Sequence, residues 1–81
     1  MRLDKFLKVS RVIKRRTVAN EACDSGRVMI NGRIAKASSN VKCGDIVEIK
    51  FGEKTIKFEI IRVDEIIKKE EASEMFKIIE E

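Results

Sequence analysis

The chain is 81 residues long, enough for one small domain with a thin core, because a domain of this size buries only about 60% of the surface its unfolded chain exposes. Charged residues make up 40% of it, with 18 Lys+Arg against 14 Asp+Glu and a formal net charge of +4, while His, Pro, Trp and Tyr are absent. This composition excludes a histidine-based active site or metal centre, a scaffold of several disulfides, and a membrane-spanning run of apolar residues.

Leu3, Phe6 and Leu7 recur at i, i+3 and i+4, which predicts a short first helix with Arg2, Asp4, Lys5 and Lys8 on its wet side. No long apolar stretch follows the opening Met-Arg-Leu-Asp, so no secretion signal is expected. Ser10 is placed as a break or cap, and Val12-Ile13 as a small apolar anchor inside a basic run. Thr17 is the expected N-cap of a second helix ending near Ser25, with Val18, Ala19, Ala22 and Cys23 as a narrow face of small side chains. Gly26 suits the left-handed residue that ends such a helix. Arg15 and Arg16 fall just ahead of that expected cap, where exposed N–H groups and the helix dipole favour anions.

Beyond Gly26 the period changes to two. Val28 and Ile30 alternate into Asn31-Gly32, the signature of a type I′ hairpin, and Ile34 lies on the return strand. Residues 36–45 read as a loop with a Gly44-Asp45 turn. Ile46 to Phe51 is a strand with Val47, Ile49 and Phe51 on one face, followed by a Gly52-Glu53 turn. Thr55 to Val63 is the next strand, with Ile56, Phe58 and Ile60 inward and a bulge or second packing face at Ile60-Ile61. Lys68 to Glu81 has Ala72, Met75, Phe76 and Ile79 on one helical face, although Phe76-Lys77-Ile78 also fits a strand. The fold class is α+β: an N-terminal helical pair packed on a small twisted, mostly antiparallel sheet, with a short C-terminal helix. The domain is expected over residues 1–67, with 68–81 as an amphipathic tail packed on it or extending it.

Charge is unevenly spread. Residues 1–50 carry 12 Lys+Arg and 5 Asp+Glu, a balance of +7; residues 51–81 carry 6 and 9, a balance of −3. The densest stretch holds Arg11, Lys14, Arg15 and Arg16 without an acid, with Arg2, Lys5 and Lys8 just upstream. A basic patch on an otherwise neutral body points to a polyanionic partner at one face. No catalytic constellation is visible, since no serine has a histidine to activate it. Cys23 reads as a small core residue and Cys43 as a surface or half-buried thiol. Four Phe are too few for base-stacking platforms, so binding should rest on phosphate contacts and shape, which suits structured RNA or a duplex.

Arg2-Leu3-Asp4-Lys5-Phe6-Leu7, Ser10-Arg11, Lys14-Arg15-Arg16-Thr17, Gly26-Arg27-Val28, Asn31-Gly32, Ser38, Val41-Lys42 and Gly44-Asp45, taken in order, resemble the small RNA-binding module named after ribosomal protein S4. The resemblance covers roughly residues 1–50; Met29 and Cys43 depart from it outside the basic motif. Its family fold is a helical pair on a twisted sheet. The tail from Lys68-Lys69-Glu70-Glu71-Ala72 to Met75-Phe76 extends the likeness to bacterial members that act in ribosome quality control.

That resemblance implies a non-enzymatic, cytoplasmic protein without cofactor or metal. It would bind the large ribosomal subunit of an obstructed ribosome, contact large-subunit rRNA and peptidyl-tRNA, and support the tailing factor RqcH in adding a C-terminal alanine tail. A monomer with no membrane contact is expected. The implied RNA surface is Arg2, Lys5, Arg11, Lys14, Arg15 and Arg16, with Arg27, Asn31 and Lys36 flanking. Thr17 joins it chiefly as a cap, and Asn31 chiefly as a turn residue. Asp4, an acid inside the basic motif, is expected to orient a basic neighbour, with an i, i+4 pairing to Lys8 as the plainer alternative. Two other classes remain open: a regulator that binds structured RNA or DNA, and a protein–protein adapter working through the acidic tail.

Overall fold

The computed structural model describes residues 1–79. Two helices, α1 (Leu3–Val9) and α2 (Arg16–Asp24), precede the strands β1 (Val28–Ile30), β2 (Arg33–Ile34), β3 (Ile46–Phe51) and β4 (Lys54–Ile60). A 3₁₀ helix (Lys69–Met75) then leads into β5 (Phe76–Ile78). The strands form one antiparallel sheet in the order β2-β1-β3-β4-β5.

The register places Val28 opposite Ile49, Val47 opposite Phe58, and Ile60 opposite Phe76. Alternation along each strand therefore collects Val28, Val47, Ile49, Phe58 and Ile60, all fully buried, under the helices. Leu3, Phe6 and Leu7 of α1 and Ala19, Ala22 and Cys23 of α2 fill the other half of the core. The small side chains of α2 let its backbone lie close to α1. Phe58 is the hinge of the packing, stacked on Phe6 at 6.3 Å between centroids and edge-on to Phe76 at 5.3 Å.

Helix α1 is only seven residues long, too short to persist by itself. The connection between β2 and β3 holds its first turn: Leu3 N–H donates to Ser39 O at 2.7 Å and Asp4 N–H to Ala37 O at 3.2 Å. These bonds satisfy donors that a helix start otherwise leaves orphaned. The same loop is tied to α2 through Ala37 N–H and Asp24 Oδ1 at 3.0 Å. The hairpin turn has Asn31 at φ 51° and Gly32 at φ 82°, the double positive that a type I′ turn requires. Asn31 then clasps the 42–45 turn: Nδ2 donates to Asp45 Oδ1 at 3.1 Å, and Oδ1 accepts from Ile46 N–H at 2.9 Å.

Several expectations change. Thr17 is not the cap of α2; the helix starts at Arg16 with an extended Arg15 as N-cap and no side-chain cap bond, which leaves Thr17 exposed in the first turn. Val18 lies off the apolar face and is exposed, because α1 and the sheet cover only the Ala19–Ala22–Cys23 side. Asp4 is buried rather than on the wet side of α1. Phe51 is partly exposed where β3 outruns the helices. β4 stops at Ile60 without a bulge, since Ile61 N–H and Arg62 N–H both turn to Met75 O, at 2.8 and 3.2 Å.

The tail helix is of the 3₁₀ type and ends at Met75, which is fully buried; Phe76 to Ile78 take the strand alternative and pair with β4. Glu80 and Glu81 of that expected helix lie outside the described residues. Arg62 draws the acidic tail in, with Asp64 at 2.6 Å, Glu74 at 3.2 Å and Glu71 at 3.5 Å. Its neighbouring carboxylates, Asp64 first, raise the guanidinium pKa above its ordinary value.

Met75 closes the core beneath the sheet, so Met75→Ala should cost about 2–5 kcal/mol in urea unfolding. Ile34→Ala, on an exposed side chain of the opposite face, should stay within about 0.5 kcal/mol.

Candidate nucleic-acid interface

The basic residues of the first sixteen positions are spread over the start of the chain, α1, the turn between α1 and α2, and the first residue of α2. Ser10, itself buried, ends α1 with its N–H on Phe6 O at 2.9 Å and its hydroxyl on Leu7 O at 3.4 Å. Arg11 adopts a left-handed backbone at φ 63°, and Ile13 then plunges into the core with its N–H on Leu7 O at 3.0 Å. This apolar peg holds the turn down while Arg11, Lys14, Arg15 and Arg16 around it stay exposed. Lys8 and Lys14 reach a common cleft with Arg11, of about 350 Å³, closed on its far side by Glu65, Ile66 and Ile67.

Asp4 organises the other end of the patch. Its carboxylate receives Arg2 Nε at 3.2 Å, Arg16 Nε at 3.4 Å, Asn20 Nδ2 at 3.3 Å and the Lys5 backbone N–H at 2.8 Å. The Asp4 side chain is 3% exposed, whereas those of Arg2 and Arg16 are each 49% exposed. One buried anion thus fixes two guanidinium groups from different elements while half of each still faces solvent. Burial pushes the Asp4 carboxyl up, but hydrogen bonds from Asn20 and Arg16, the Arg16 charge and the Lys5 N–H outweigh it and hold the group below the ordinary aspartate value. The expectation that Asp4 orients a basic neighbour is met by Arg2 and Arg16, not Lys8.

The structure brings Arg2, Lys5, Arg11, Lys14, Arg15, Arg16 and Thr17 onto the helical pair. Lys5 is engaged by Glu65 at 3.4 Å. Lys36 is exposed in the loop after β2, one residue before the carbonyl that receives the Asp4 N–H. Arg27 lies apart, in a cleft with Val18, Lys50 and Phe51 at the junction of α2 and β3. Asn31 is committed to the Asp45 clasp. Lys8 belongs to the basic stretch of the sequence but not to the RNA surface the resemblance implies, and Asn20 to neither. Asn20 stands four residues after Arg16, so helical spacing puts both on one face, and Lys8 stands one turn after Asp4.

Cys23 is buried, and burial, with Asp4 and Asp24 adding to it, pushes its thiol up to about 11, so it is protonated and inert at neutral pH. The Cys43 thiol donates to Ile61 O at 3.3 Å. Among the described residues no group of His, Cys, Asp and Glu is placed to hold a metal ion, and no helix is long and apolar enough to cross a membrane. Guanidinium forks held half-exposed beside free ammonium groups are the equipment of phosphate recognition.

An antiparallel sheet bearing a basic helix–turn–helix face of this geometry defines a nucleic-acid-binding module. Residues 1–47 match the S4 domain family. Over all 81 residues the chain is 54% identical to the RQC P-site tRNA stabilizing factor of Bacillus subtilis, spanning 94% of that protein, and 56% identical to its namesake in Listeria monocytogenes, spanning 88%. Among solved structures, trimeric Heat Shock Protein 15 of Vibrio cholerae superposes with a TM-score of 0.88 at 28% identity, over 98% of this chain and 81% of that one. The chain belongs to the S4-domain family and, within it, to the RQC P-site tRNA stabilizing factors.

Replacing Asp4 with Asn should cost about 1–3 kcal/mol at neutral pH, because two arginines lose their shared anion and one of its two acceptor oxygens becomes a donor. Since the folded carboxyl titrates below the unfolded one, its stabilisation is present above the ordinary aspartate value of about 3.9 and is lost as pH falls through the folded value. Urea midpoints of the parent should therefore fall toward those of Asp4→Asn on acidification from pH 7 to pH 3.

Proposed function

We propose that this protein binds structured RNA on obstructed large ribosomal subunits, contacts large-subunit rRNA and peptidyl-tRNA, and holds P-site tRNA while RqcH extends the stalled chain with alanine. The observation that carries the reading is the Asp4-centred pair Arg2 and Arg16, set beside the exposed Arg11, Lys14 and Arg15, in a chain that matches the tRNA stabilizing factors along its whole length. The protein works as a cytoplasmic monomer and makes or breaks no bond: it contributes positioning, and its partner supplies the elongation cycle.

Arg2, Lys5, Arg11, Lys14, Arg15 and Arg16 are the RNA contacts in this reading, with Thr17 reaching a phosphate through its exposed hydroxyl and Lys36 extending the same face. Arg27 serves a separate edge of the complex. Residues 1–67 carry the module, and within the tail from 68 onward Ala72, Met75 and Phe76–Ile78 lock it by completing the core and sheet.

Sedimentation of tagged protein from cell lysate through a sucrose gradient tests the assignment. Accumulation on free large subunits with co-purifying tRNA and RqcH is expected; residence on small subunits or at the top of the gradient overturns it. Arg16→Ala should weaken large-subunit binding by about 1–3 kcal/mol, the scale of one or two charge-assisted hydrogen bonds. With roughly five phosphates contacted, log K against log salt should slope near −3.5 to −4.5, and a flat dependence contradicts the electrostatic basis.

A further inference from the structure

Residues 61–68, outside the matched S4 segment, form an irregular strap between β4 and the 3₁₀ helix. Val63 and Ile67 pack against the core and anchor the strap, and Glu65 pairs with Lys5 across the cleft. Between these tethers Ile66 is 95% exposed, the most exposed large apolar side chain among the described residues. It lines the 350 Å³ cleft together with Lys8, Arg11 and Lys14. Among the described residues those three cations have no ion-pair partner, so the cleft is positive and only Glu65 opposes it.

We propose that this cleft extends the RNA face into a nucleotide subsite, in which Lys8 joins Arg11 and Lys14 on a backbone phosphate and Ile66 takes the face of a ribose or unstacked base. The inference rests on the RNA-binding reading above and extends it beyond the S4 segment. The cleft's volume falls in the range of about 300–1,000 Å³ typical of ligand pockets. An isoleucine held in water beside three unpaired cations matches a nucleotide, which offers an apolar face and an anion within a few ångströms of each other. Its continuity with the Arg2–Arg16 face through the α1–α2 turn lets one RNA segment run across both. Single-stranded or bulged RNA presents such splayed nucleotides, whereas a regular helix hides its bases. Glu65 occupies Lys5 until the RNA arrives and penalises any phosphate placed on the strap side.

The test uses the full chain, with purified bacterial large subunits and the deproteinised rRNA extracted from them as probes. Ile66→Ser should leave the urea midpoint unchanged, because the side chain is already in water. It should lower affinity for both probes by roughly three- to tenfold, the scale of one or two methylene groups lost from the contact, with an unaltered salt slope, since no charge is removed. Glu65→Gln should tighten binding, and Ile34→Ser, an exposed isoleucine on the open sheet face, should match the parent. Parent-like affinity of Ile66→Ser alongside weakened Arg16→Ala removes the subsite and leaves the RNA face standing. Parent-like affinity of both variants removes the RNA-binding reading itself. Loss of a co-purifying protein from Ile66→Ser with rRNA affinity intact also overturns the subsite, and makes the strap a protein-docking element.

Discussion

The Asp4 carboxylate sits where α1, α2 and the 37–39 loop meet, and it joins chemistry to architecture. Its backbone N–H is held by Ala37 O, which fixes the start of α1, while its side chain holds Arg16 and Asn20 of α2 and Arg2 at the chain's beginning. A charge buried this far is costly unless it is well paired. Here the arginines supply the pairing, and because each stays half exposed they give up little of their own hydration. The anion also lowers the repulsion between the two guanidinium groups that it holds close together. Without it, a patch this dense would spread its side chains apart and lose more conformational entropy when it bound.

Much of this was legible beforehand where local rules govern. The type I′ hairpin at Asn31-Gly32, the β3 span from Ile46 to Phe51 and the apolar stripe Leu3, Phe6, Leu7 follow from turn chemistry and period alone, and the structure has all three. The basic turn was legible too, since Arg11 to Arg16 carry no acid. What escaped depended on distant partners. Asp4 looked solvated because period 3.6 placed it on the polar side of α1; its burial comes from α2 and the 37–39 loop, which no local pattern reports. Thr17 is a good cap by residue type, yet Arg15 took that position as the chain left the Ile13 anchor in extended form.

The tail shows the same division from the other side. Ala72 and Met75 were read correctly as inward-facing, but a regular α-helix over 68–81 would have carried Phe76 away from Phe58. The tighter 3₁₀ winding ends at Met75, and the open edge of β4 offers Phe76–Ile78 a row of unpaired backbone groups. Tertiary demand outweighed a weak local preference, as is usual for short amphipathic segments. For the candidate interface, the sequence identified the cations but not how they divide. Arg2 and Arg16 form one pair around an anion, Lys8, Arg11 and Lys14 form a second group around a cleft, and Arg27 stands alone on another edge.

The capping of α1 by the 37–39 carbonyls reaches beyond packing. Helix α1 borrows its first hydrogen bonds from a segment more than thirty residues later in the chain, so a peptide comprising only the helical pair has no stable α1 to display. The binding face therefore comes into being in the same cooperative step as the sheet. A partly made or partly unfolded chain carries its arginines without the geometry that Asp4 and the 37–39 loop impose.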